Sequence, residues 1–386
     1  MKDSKGLLLF ILAVGVFGIL NTEMGVIGIL PHLAKYFNVS ISEAGWLVSG
    51  FALAIAFAGP TLPLIFSGID RKKIMIMVLI IFVISNITLI FTTNFTVALV
   101  ARILPAFFHP VYVSMALSVA AVSVDPKEAN KAVSKVFIGV SAGMVLGVPV
   151  ASFLANEFTL QLAMSFFAIV NIFTLIATLL FVPTMPVKER LSYGSQLKIL
   201  TKSVTWLSIF AVICFNGAVF GIYSYLAEYL DVITKLSANV ISIMLFVYGL
   251  ANIIGNVIAG NLLTHSPKIT VIVYPIVLTV IYFIFLSIAE LTIPTMIIIL
   301  IWGVIAGIGN NVNQYWIMSS APQAPDFANG LFLTATNLGT TIGTAFAGLI
   351  ITQVGTKYIL IVGVLGLILG LICVLWRVRI SNTAQI

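Results

Sequence analysis

Charged residues are scarce in this chain of 386 residues: Asp, Glu, Lys and Arg make up 8% of it, whereas 61% is hydrophobic. Soluble globular proteins carry about 25% charged and about 45–50% apolar residues, so a water-soluble fold is excluded. At about 20 residues per membrane-spanning helix, the chain accommodates roughly a dozen spans and leaves no room for a separate catalytic domain. Because the apolar runs are continuous rather than alternating, a membrane β-barrel is excluded as well.

Cysteine and histidine are also rare. The 2 cysteines, Cys214 and Cys373, lie inside apolar runs and indicate neither a disulfide framework nor a metal site. The sequence lacks a phosphate-binding loop and a Gly-x-Ser-x-Gly nucleophile elbow. We therefore expect no metal, no cofactor and no ATP-driven step. We do not expect nucleic-acid binding from the net charge of +7, because these charges lie in the short loops of a membrane protein.

Apolar runs separated by short polar breaks predict an all-α integral membrane protein with twelve transmembrane helices. The predicted spans cover residues 7–30, 43–67, 74–92, 96–121, 134–154, 161–182, 205–227, 239–263, 270–289, 294–318, 330–352 and 358–376. The first run is too long for the core of a signal peptide, so we interpret it as a retained helix. Because the longest polar stretch follows the sixth span, we expect a six-helix bundle at 1–182, a linker at 183–204 and a second bundle at 205–386.

Lysine and arginine are distributed unevenly between the two sides of this arrangement. With the N-terminus inside, fifteen of the 19 fall in inner segments, and the outer loops hold only Lys35, Lys235 and Lys357. The remaining one, Arg102, lies inside a span. Because positive residues favour cytoplasmic loops, the pattern predicts an even number of spans with both termini in the cytoplasm.

The two halves share a repeat at an offset of 196 residues. The matched glycines are Gly25 with Gly221, Gly59 with Gly255, Gly143 with Gly339 and Gly147 with Gly343. Parallel repeats of six helices build one large class of transporters, whose substrate site lies at the midplane between the halves. The repeat therefore favours two pseudo-symmetric bundles.

Glu23, near the middle of span 1, is the acid placed deepest in a span. Intramembrane ionisable residues are costly and are functional candidates by default. Because low-dielectric surroundings disfavour a charged carboxylate, such a group can take up a proton on one side and release it on the other. The alternative is a glutamate that only packs between helices.

Span 4 carries Arg102 and, seven residues later, His109. That spacing places both on one helix face, about 10 Å apart. Both are candidates for proton coupling, since arginine is permanently charged and an imidazole exchanges protons near neutral pH. Alternatively, the Arg102 side chain extends toward the outer membrane interface. The alternative for His109 is a structural role, in which it forms a hydrogen bond between two helices. Pro110 is expected to kink the span.

Two further segments are candidates for packing or gating. In span 5, Gly139, Gly143 and Gly147 form a smooth stripe for a neighbouring helix, followed by Pro149. The turn before span 3 contains Asp70 and Arg71. Asp70 is expected to cap span 3, where the helix dipole favours an acid, and Arg71 is either an anchor at the membrane surface or part of a latch.

Uncharged polar and aromatic side chains inside the spans are the candidate contacts for a neutral solute. They are Asn21, Phe107, Tyr112, Asn216, Tyr223, Tyr225, Asn310, Asn313 and Asn337. Some of them are expected to hold helices together instead. Any single aromatic residue is more often part of the core or lipid-facing, since 11% of the chain is aromatic.

Four segments carry a resemblance to a known family. They are Thr22-Glu23-x4-Gly28-Ile29-Leu30-Pro31, Arg102 with His109, Gly143-x3-Gly147-Val148-Pro149, and Asn337-Leu338-Gly339-x3-Gly343. Together they resemble the major facilitator superfamily, in particular its twelve-span drug:proton antiporters and, among those, bacterial sugar-efflux and purine-nucleoside-efflux permeases. The resemblance implies export driven by protons through alternating access, with Glu23 and Arg102 linked to coupling.

The chain departs from this family pattern at several points. The loop between spans 2 and 3 reads Asp70-Arg71-Lys72-Lys73 and lacks the usual glycines, and Pro110 replaces a glycine after His109. Leu160-Gln161 stands where a Trp-Arg pair is common, and Thr264-His265 stands where an acid and an arginine are expected.

We expect a monomeric exporter that exchanges external protons for a small organic solute such as a drug, a nucleoside or purine, or a sugar. Its partners are then the solute, protons and the lipid bilayer. One alternative is an uncoupled facilitator or an importer. A less favoured one is a multi-span membrane enzyme acting on lipid, which would need acids or histidines clustered at an interface.

Overall fold

The computed structural model describes residues 2–39, 41–186, 194 and 197–383, and this part of the chain contains helices and no strand. The chain divides into two compact units, Met1–Tyr193 and Gly194–Ile386. Part of the predicted linker at 183–204 lies outside the described residues, and so do Lys188 and Arg190 within it.

The first unit contains the six spans predicted for the first half, one of them in two pieces. Its helices are α1 (Lys2–Phe37), α2 (Ile41–Ala44), α3 (Trp46–Ala58), α4 (Leu62–Phe66), α5 (Arg71–Phe91), α6 (Phe95–Val122), α7 (Ala129–Glu157) and α8 (Leu160–Phe181). The span predicted at 43–67 is interrupted between α3 and α4. Proline has no amide hydrogen, and its ring clashes with the carbonyl group four residues earlier in a helix, so the helix is interrupted at Gly59-Pro60.

The second unit contains the other six predicted spans. Its helices are α9 (Ser203–Tyr223), α10 (Leu226–Val232), α11 (Ala238–His265), α12 (Pro267–Ile288), α13 (Thr292–Met318), α14 (Pro325–Gln353) and α15 (Ile359–Thr383). The short α10 begins at the end of the span predicted at 205–227 and extends beyond it. The observed helix ends differ from the predicted span ends by a few residues, because the helices continue into the polar segments that flank the apolar runs.

Ten helices in the described part of the chain are long and apolar enough to cross a membrane. The two remaining predicted spans are α3–α4, which is interrupted, and α14, which has 29 residues but is rich in threonine and asparagine. Large apolar side chains are exposed along the helices; Phe57 and Phe91, for example, are 68% and 78% exposed. Such surfaces are unfavourable in water and suit contact with lipid.

In the first unit, α1 packs against α7 and α8, while α6 packs against α3 and α5. The crossing of α1 and α7 is so close that a methyl group on Gly139 would overlap the backbone carbonyl of Ala13. At Gly25, an added methyl carbon would lie 3.3 Å from the carbonyl oxygen of Gly147. Glycine is therefore needed where these two backbones meet.

The second unit repeats this crossing between α9 and α14. An added methyl carbon on Gly221 would lie 2.7 Å from the carbonyl oxygen of Gly343. Gly221 and Gly343 are the residues that match Gly25 and Gly147 at the offset of 196 residues. The repeat in the sequence thus corresponds to an equivalent helix crossing inside each unit.

Candidate functional site

Glu23 lies at mid-length in α1, and its carboxylate faces α6. Glu23 Oε2 is 3.1 Å from His109 Nε2, and the two side chains are 14% and 5% exposed. The angle between Nε2 and the carboxylate is not that of a hydrogen bond. Neither Nε2 nor Nδ1 has a hydrogen-bond partner among the described residues. The structure therefore pairs two residues that the sequence placed on separate spans, and it leaves the carboxylate partly accessible.

Arg102 is 2% exposed and uses its guanidinium to bind backbone carbonyl groups. Nη1 donates to Thr22 O at 2.7 Å, Nη2 to Glu23 O at 3.2 Å and Nε to Leu47 O at 3.3 Å. These bonds tie α6 to α1 and to the helix that begins at Trp46. Arg102 is thus buried and does not extend to the interface, which was the alternative expected from its position near the end of the span.

Phe51 connects the arginine and the histidine. Its ring lies 4.5 Å from the Arg102 guanidinium carbon and meets the His109 ring edge-on at 6.2 Å. A cation over an aromatic face is stabilised by the ring quadrupole. Phe51 is 1% exposed. It stands in a long apolar run, so no sequence pattern distinguished it from an ordinary core residue.

The turn of α1 that carries Glu23 is held from its other side by α5 and α8. Asn171 Nδ2 donates to Thr22 Oγ1 at 2.9 Å and to the carbonyl of Gly18 at 3.3 Å, and Asn86 Nδ2 donates to Thr22 Oγ1 at 3.3 Å. Buried amides of this kind hold membrane helices together. They set the rotation of α1, and sequence reasoning missed both asparagines because single buried amides have no characteristic spacing.

The predicted glycine stripe of α7 lies on the face that meets α1. An added methyl carbon would lie 2.7 Å from Leu20 Cβ at Gly143 and 3.0 Å from Asn21 Oδ1 at Gly147. Pro149 lies inside α7, which continues to Glu157. The stripe is therefore a backbone-to-backbone seam, and a gating role for it stays a prediction.

Asp70 and Arg71 lie at the start of α5. Asp70 Oδ1 accepts a hydrogen bond from Lys73 N at 3.1 Å, which confirms the predicted N-cap. The amide of Arg71 donates to the carbonyl of Met185 at 3.4 Å. A latch role for this turn stays a prediction.

The three predicted solute contacts of the first unit do not form one site. Asn21 and Tyr112 are both 0% exposed, and Phe107 is 38% exposed. Asn21 lies in the seam with α7, whereas the hydroxyl of Tyr112 lies against Gly15. The neighbours that the structure gives for Asn21 differ from those of Tyr112.

Several predicted solute contacts of the second unit instead hold helices together. Asn216 Nδ2 donates to Thr336 O at 2.6 Å and to Thr340 Oγ1 at 2.8 Å, which joins α9 to α14. Asn337 Nδ2 donates to Leu333 O in its own helix at 2.8 Å. The Asn216 amide is therefore engaged between two helices, whereas Asn337 bonds within its own helix.

Asparagines also join α11 to α13. Asn310 Nδ2 donates to Asn252 Oδ1 at 3.4 Å, and Asn311 Nδ2 donates to Asn256 Oδ1 at 2.8 Å. Asn313 differs from them: it is 3% exposed, and its Oδ1 has no hydrogen-bond partner among the described residues. Asn313 therefore presents a buried acceptor that the described residues do not use.

Aromatic rings surround the end of α9. Tyr223 stacks on Tyr248 at 4.8 Å with 24° between the rings, and Tyr248 meets Trp302 at 4.9 Å. Tyr225 points elsewhere, with its hydroxyl 2.7 Å from where a methyl carbon on Gly348 would lie. Of the two predicted tyrosines, Tyr223 therefore belongs to an aromatic wall and Tyr225 packs against α14.

Arg377 is a second buried cation; it directly follows the span predicted at 358–376 and was counted among the positive residues of the inner segments. It is 6% exposed, and its guanidinium carbon lies 3.7 Å from the Trp316 ring. Nη1 donates to Ser208 Oγ at 2.9 Å and to the carbonyl of Trp316, and Nη2 donates to Ser319 Oγ at 2.8 Å. It thereby joins α15 to the C-terminal end of α13, where a cation is favoured.

The chemistry of these residues is limited but specific. The pair of Glu23 and His109 can hold an exchangeable proton beside the charge of Arg102. Solute binding by the amides stays a prediction. No group of three or more His, Cys, Asp or Glu residues placed to hold a metal ion occurs within the described ranges.

A family model described as "Major Facilitator Superfamily" matches residues 12–325 and 235–385 of the chain. The chain belongs to this superfamily. It is therefore a secondary transporter and a multi-pass membrane protein, not an enzyme.

Bacterial facilitators are similar to it over nearly their whole length. An "Uncharacterized MFS-type transporter YtbD" of Bacillus subtilis (strain 168) is 29% identical over 352 residues, which cover 90% of this chain and 89% of the relative. "Inner membrane transport protein YdhP" of Escherichia coli (strain K12) is 27% identical, with 96% of both chains covered. A "Probable sugar efflux transporter" of Helicobacter pylori (strain ATCC 700392 / 26695) is 26% identical, with 95% and 93% covered.

Two solved facilitators share the fold. FucP in an outward conformation superimposes with a TM-score of 0.79 at 16% identity, over 97% of this chain and 99% of that one. The human organic anion transporter MFSD10 gives a TM-score of 0.77 at 14% identity, over 96% and 99%. These matches confirm the predicted all-α facilitator fold.

Proposed function

We propose that this facilitator exports a small, uncharged polar solute in exchange for protons, and that a sugar is the first class to test. The pair formed by Glu23 and His109 is the observation that carries the proposal. It is a titratable pair inside a helical membrane protein, where ionisable groups are retained at a cost. The direction and the solute class rest on the relatives named as sugar efflux transporters.

The proton would be carried by the Glu23 carboxyl group. His109 Nε2 faces the carboxylate, while Nδ1 is buried with no hydrogen-bond partner among the described residues. A proton added to Nδ1 would leave a buried N–H unsatisfied. We therefore assign the histidine proton to Nε2, because this nitrogen is the one that lies 3.1 Å from the Glu23 carboxylate and can complement its charge. The incoming proton is assigned to Glu23.

Protonation of Glu23 removes the negative charge that attracts His109 and weakens the contact between α1 and α6. Loss of the proton restores it. Arg102 keeps its hold on the same turn of α1 in both states, because it binds carbonyl groups that do not titrate. The contact between α1 and α6 thus depends on protonation, and we propose that it biases the alternation between two six-helix bundles.

The solute would be bound by uncharged groups. Asn313 offers a buried acceptor that has no hydrogen-bond partner among the described residues. A neutral solute needs directed hydrogen bonds and an apolar wall rather than a counter-charge. Inward proton movement yields about 2.3 kcal/mol per 100 mV of membrane potential, which supplies the work for export.

The proposal is tested with the full chain in proteoliposomes loaded with labelled sugars, nucleosides or chloramphenicol-like drugs. We expect a pH gradient to drive uphill solute movement, and solute addition to move protons the opposite way. Glu23→Gln keeps the size and hydrogen-bonding capacity of the side chain. It should abolish both effects while passive exchange of labelled for unlabelled solute continues.

Glu290→Gln serves as the control, because Glu290 is an exposed carboxylate that lies outside the spans. Full uphill transport by Glu23→Gln would refute the proposal. Solute exchange with no proton movement in the unmodified protein would instead indicate an uncoupled facilitator, and co-directional proton movement would indicate an importer.

We also propose that both termini are cytoplasmic in a bacterial inner membrane and that one chain is sufficient for transport. A reporter that is fluorescent only in the cytoplasm, fused to the C-terminus, should be active. Reconstitution at a mean of one chain per vesicle should preserve the transport rate per chain.

A further inference from the structure

A groove of about 470 Å³ runs between α1 and the first half of α7. We call it the α1–α7 groove; it is lined by Gly6, Leu9, Phe10, Ala13, Val14, Phe17, Lys135, Ile138, Gly139 and Ala142. Its volume is within the range of about 300–1,000 Å³ that is usual for small-molecule sites. Small residues on both helices leave the space between the larger side chains.

The lining is apolar except for one cation. Lys135 is exposed at the edge of the groove, and Lys5, also exposed, directly precedes Gly6. A sugar in this groove would lose its hydrogen bonds to water and find only an ammonium group in return, which is unfavourable. The groove therefore does not suit the solute proposed above.

The length of the groove matches one leaflet of a membrane. At a rise of 1.5 Å per residue, α1 advances about 16 Å from Gly6 to Phe17. The hydrocarbon core of a bilayer is about 30 Å thick, so one leaflet contributes about 15 Å. Both lysines lie at the same end of this length, where a phospholipid headgroup would be.

We propose that the α1–α7 groove binds one acyl chain of an anionic phospholipid whose headgroup lies at Lys5 and Lys135. The acyl chain fills the apolar part of the groove, and the two ammonium groups favour a negative headgroup over a zwitterionic one. The cationic edge determines which lipid is selected. The apolar lining contributes to the binding of any lipid with a long acyl chain.

Native mass spectrometry of the full chain in detergent tests this directly, because it counts retained lipids. The probes are phosphatidylglycerol and phosphatidylcholine with identical acyl chains. We expect the unmodified protein to retain one phosphatidylglycerol in preference to phosphatidylcholine. Lys135→Gln should lose the preference, and Gly6→Leu should lose both lipids by filling the groove.

Each variant has a matched control. Lys131→Gln removes a cation one turn earlier on α7 that pairs with Glu128 at 3.1 Å. An added methyl at Gly6 or at Gly194 meets no atom within 4 Å, so Gly6→Leu and Gly194→Leu should fold alike. Both controls should retain phosphatidylglycerol as the unmodified protein does.

Three results would overturn the proposal. The first is unchanged retention of phosphatidylglycerol by both Lys135→Gln and Gly6→Leu. The second is equal retention of oleate, which would make a free fatty acid the occupant. The third is a lipid-free dimer of the unmodified protein, which would indicate that a second copy covers the groove.

Discussion

Arg102 donates a hydrogen bond to the backbone carbonyl of Glu23 at 3.2 Å, whereas the Glu23 carboxylate lies next to His109. An arginine and a glutamate in neighbouring membrane helices would be expected to form an ion pair. Here the permanent charge holds the helix turn, while the titratable acid is paired with a titratable base. Arg102 thus fixes the position of α1, whereas His109 is the residue that contacts the acid of α1.

This division predicts that Arg102 contributes strongly to stability. Arg102→Lys keeps the charge but cannot reproduce the planar fork that reaches three carbonyls. Because bonds to charged groups contribute about 1.5–3 kcal/mol each, we expect a loss of about 3 kcal/mol in the free energy of unfolding. Chemical unfolding in detergent measures it.

The control for this variant is Lys131→Gln. Its exposed pair with Glu128 is of the kind that contributes at most about 1 kcal/mol, so its unfolding curve should nearly coincide with that of the unmodified protein. An Arg102→Lys protein as stable as the unmodified one would show that the three carbonyl bonds are dispensable.

The glycine seam predicts a large difference between two equivalent substitutions on different helices. Gly139→Ala places a methyl group against the backbone carbonyl of Ala13, whereas the same change at Gly6 meets open space. Overpacking costs about 1–3 kcal/mol, because backbone atoms cannot rotate away. Thermal unfolding should therefore show a lowered midpoint for Gly139→Ala and an unchanged or raised one for Gly6→Ala, with the opposite order contradicting the seam.

The bond between Asn311 and Asn256 predicts a measurable coupling between α11 and α13. Asn311→Leu or Asn256→Leu alone removes this hydrogen bond but keeps the other amide in the protein. The double variant removes both amides. Interhelical bonds in membrane proteins contribute about 0.6 kcal/mol on average and up to about 1.7. A double-mutant cycle on the free energy of unfolding should give a coupling near 1 kcal/mol, and strict additivity would exclude an energetic role for this bond.

Outside the spans, the ion pair of Lys357 with Glu290 predicts a local pH effect. The hydrogen bond from Lys357, at 2.8 Å, keeps the pKa of Glu290 below its ordinary value of 4.5. A pKa that is lowered on folding stabilises the protein above the ordinary value, and this contribution is lost as the pH falls through the lowered one. Lys357→Gln should raise the pKa of Glu290 toward 4.5, as measured by NMR titration of labelled glutamate.

Lys235 provides the comparison for this titration, because its charge lowers the same pKa less than Lys357 does. Lys235→Gln should therefore cause the smaller rise. Equal shifts in the two variants would show that long-range charge, and not the direct hydrogen bond, sets the titration of Glu290.

Some features of the site could be predicted from local sequence. Glu23, Arg102 and His109 were identified because an ionisable residue is conspicuous in an apolar run, and the Asp70 cap follows from its place before a helix. Phe51, Asn86 and Asn171 were not identified, because a phenylalanine or a single amide in a span is not unusual. The offset repeat indicated which glycines correspond, but not which helix each of them meets.

The sequence by itself determined that this chain lies in a membrane, how many times it crosses and that Glu23, Arg102 and His109 lie inside spans. These properties depend on hydrophobic length and on the cost of charge in lipid, both of which act along the chain. Tertiary structure alone decided that Glu23 meets His109, that Arg102 binds carbonyls and that Asn216 is a helix contact. Such pairings depend on the rotation of each helix about its axis, which glycine crossings and interhelical hydrogen bonds set between segments far apart in the sequence.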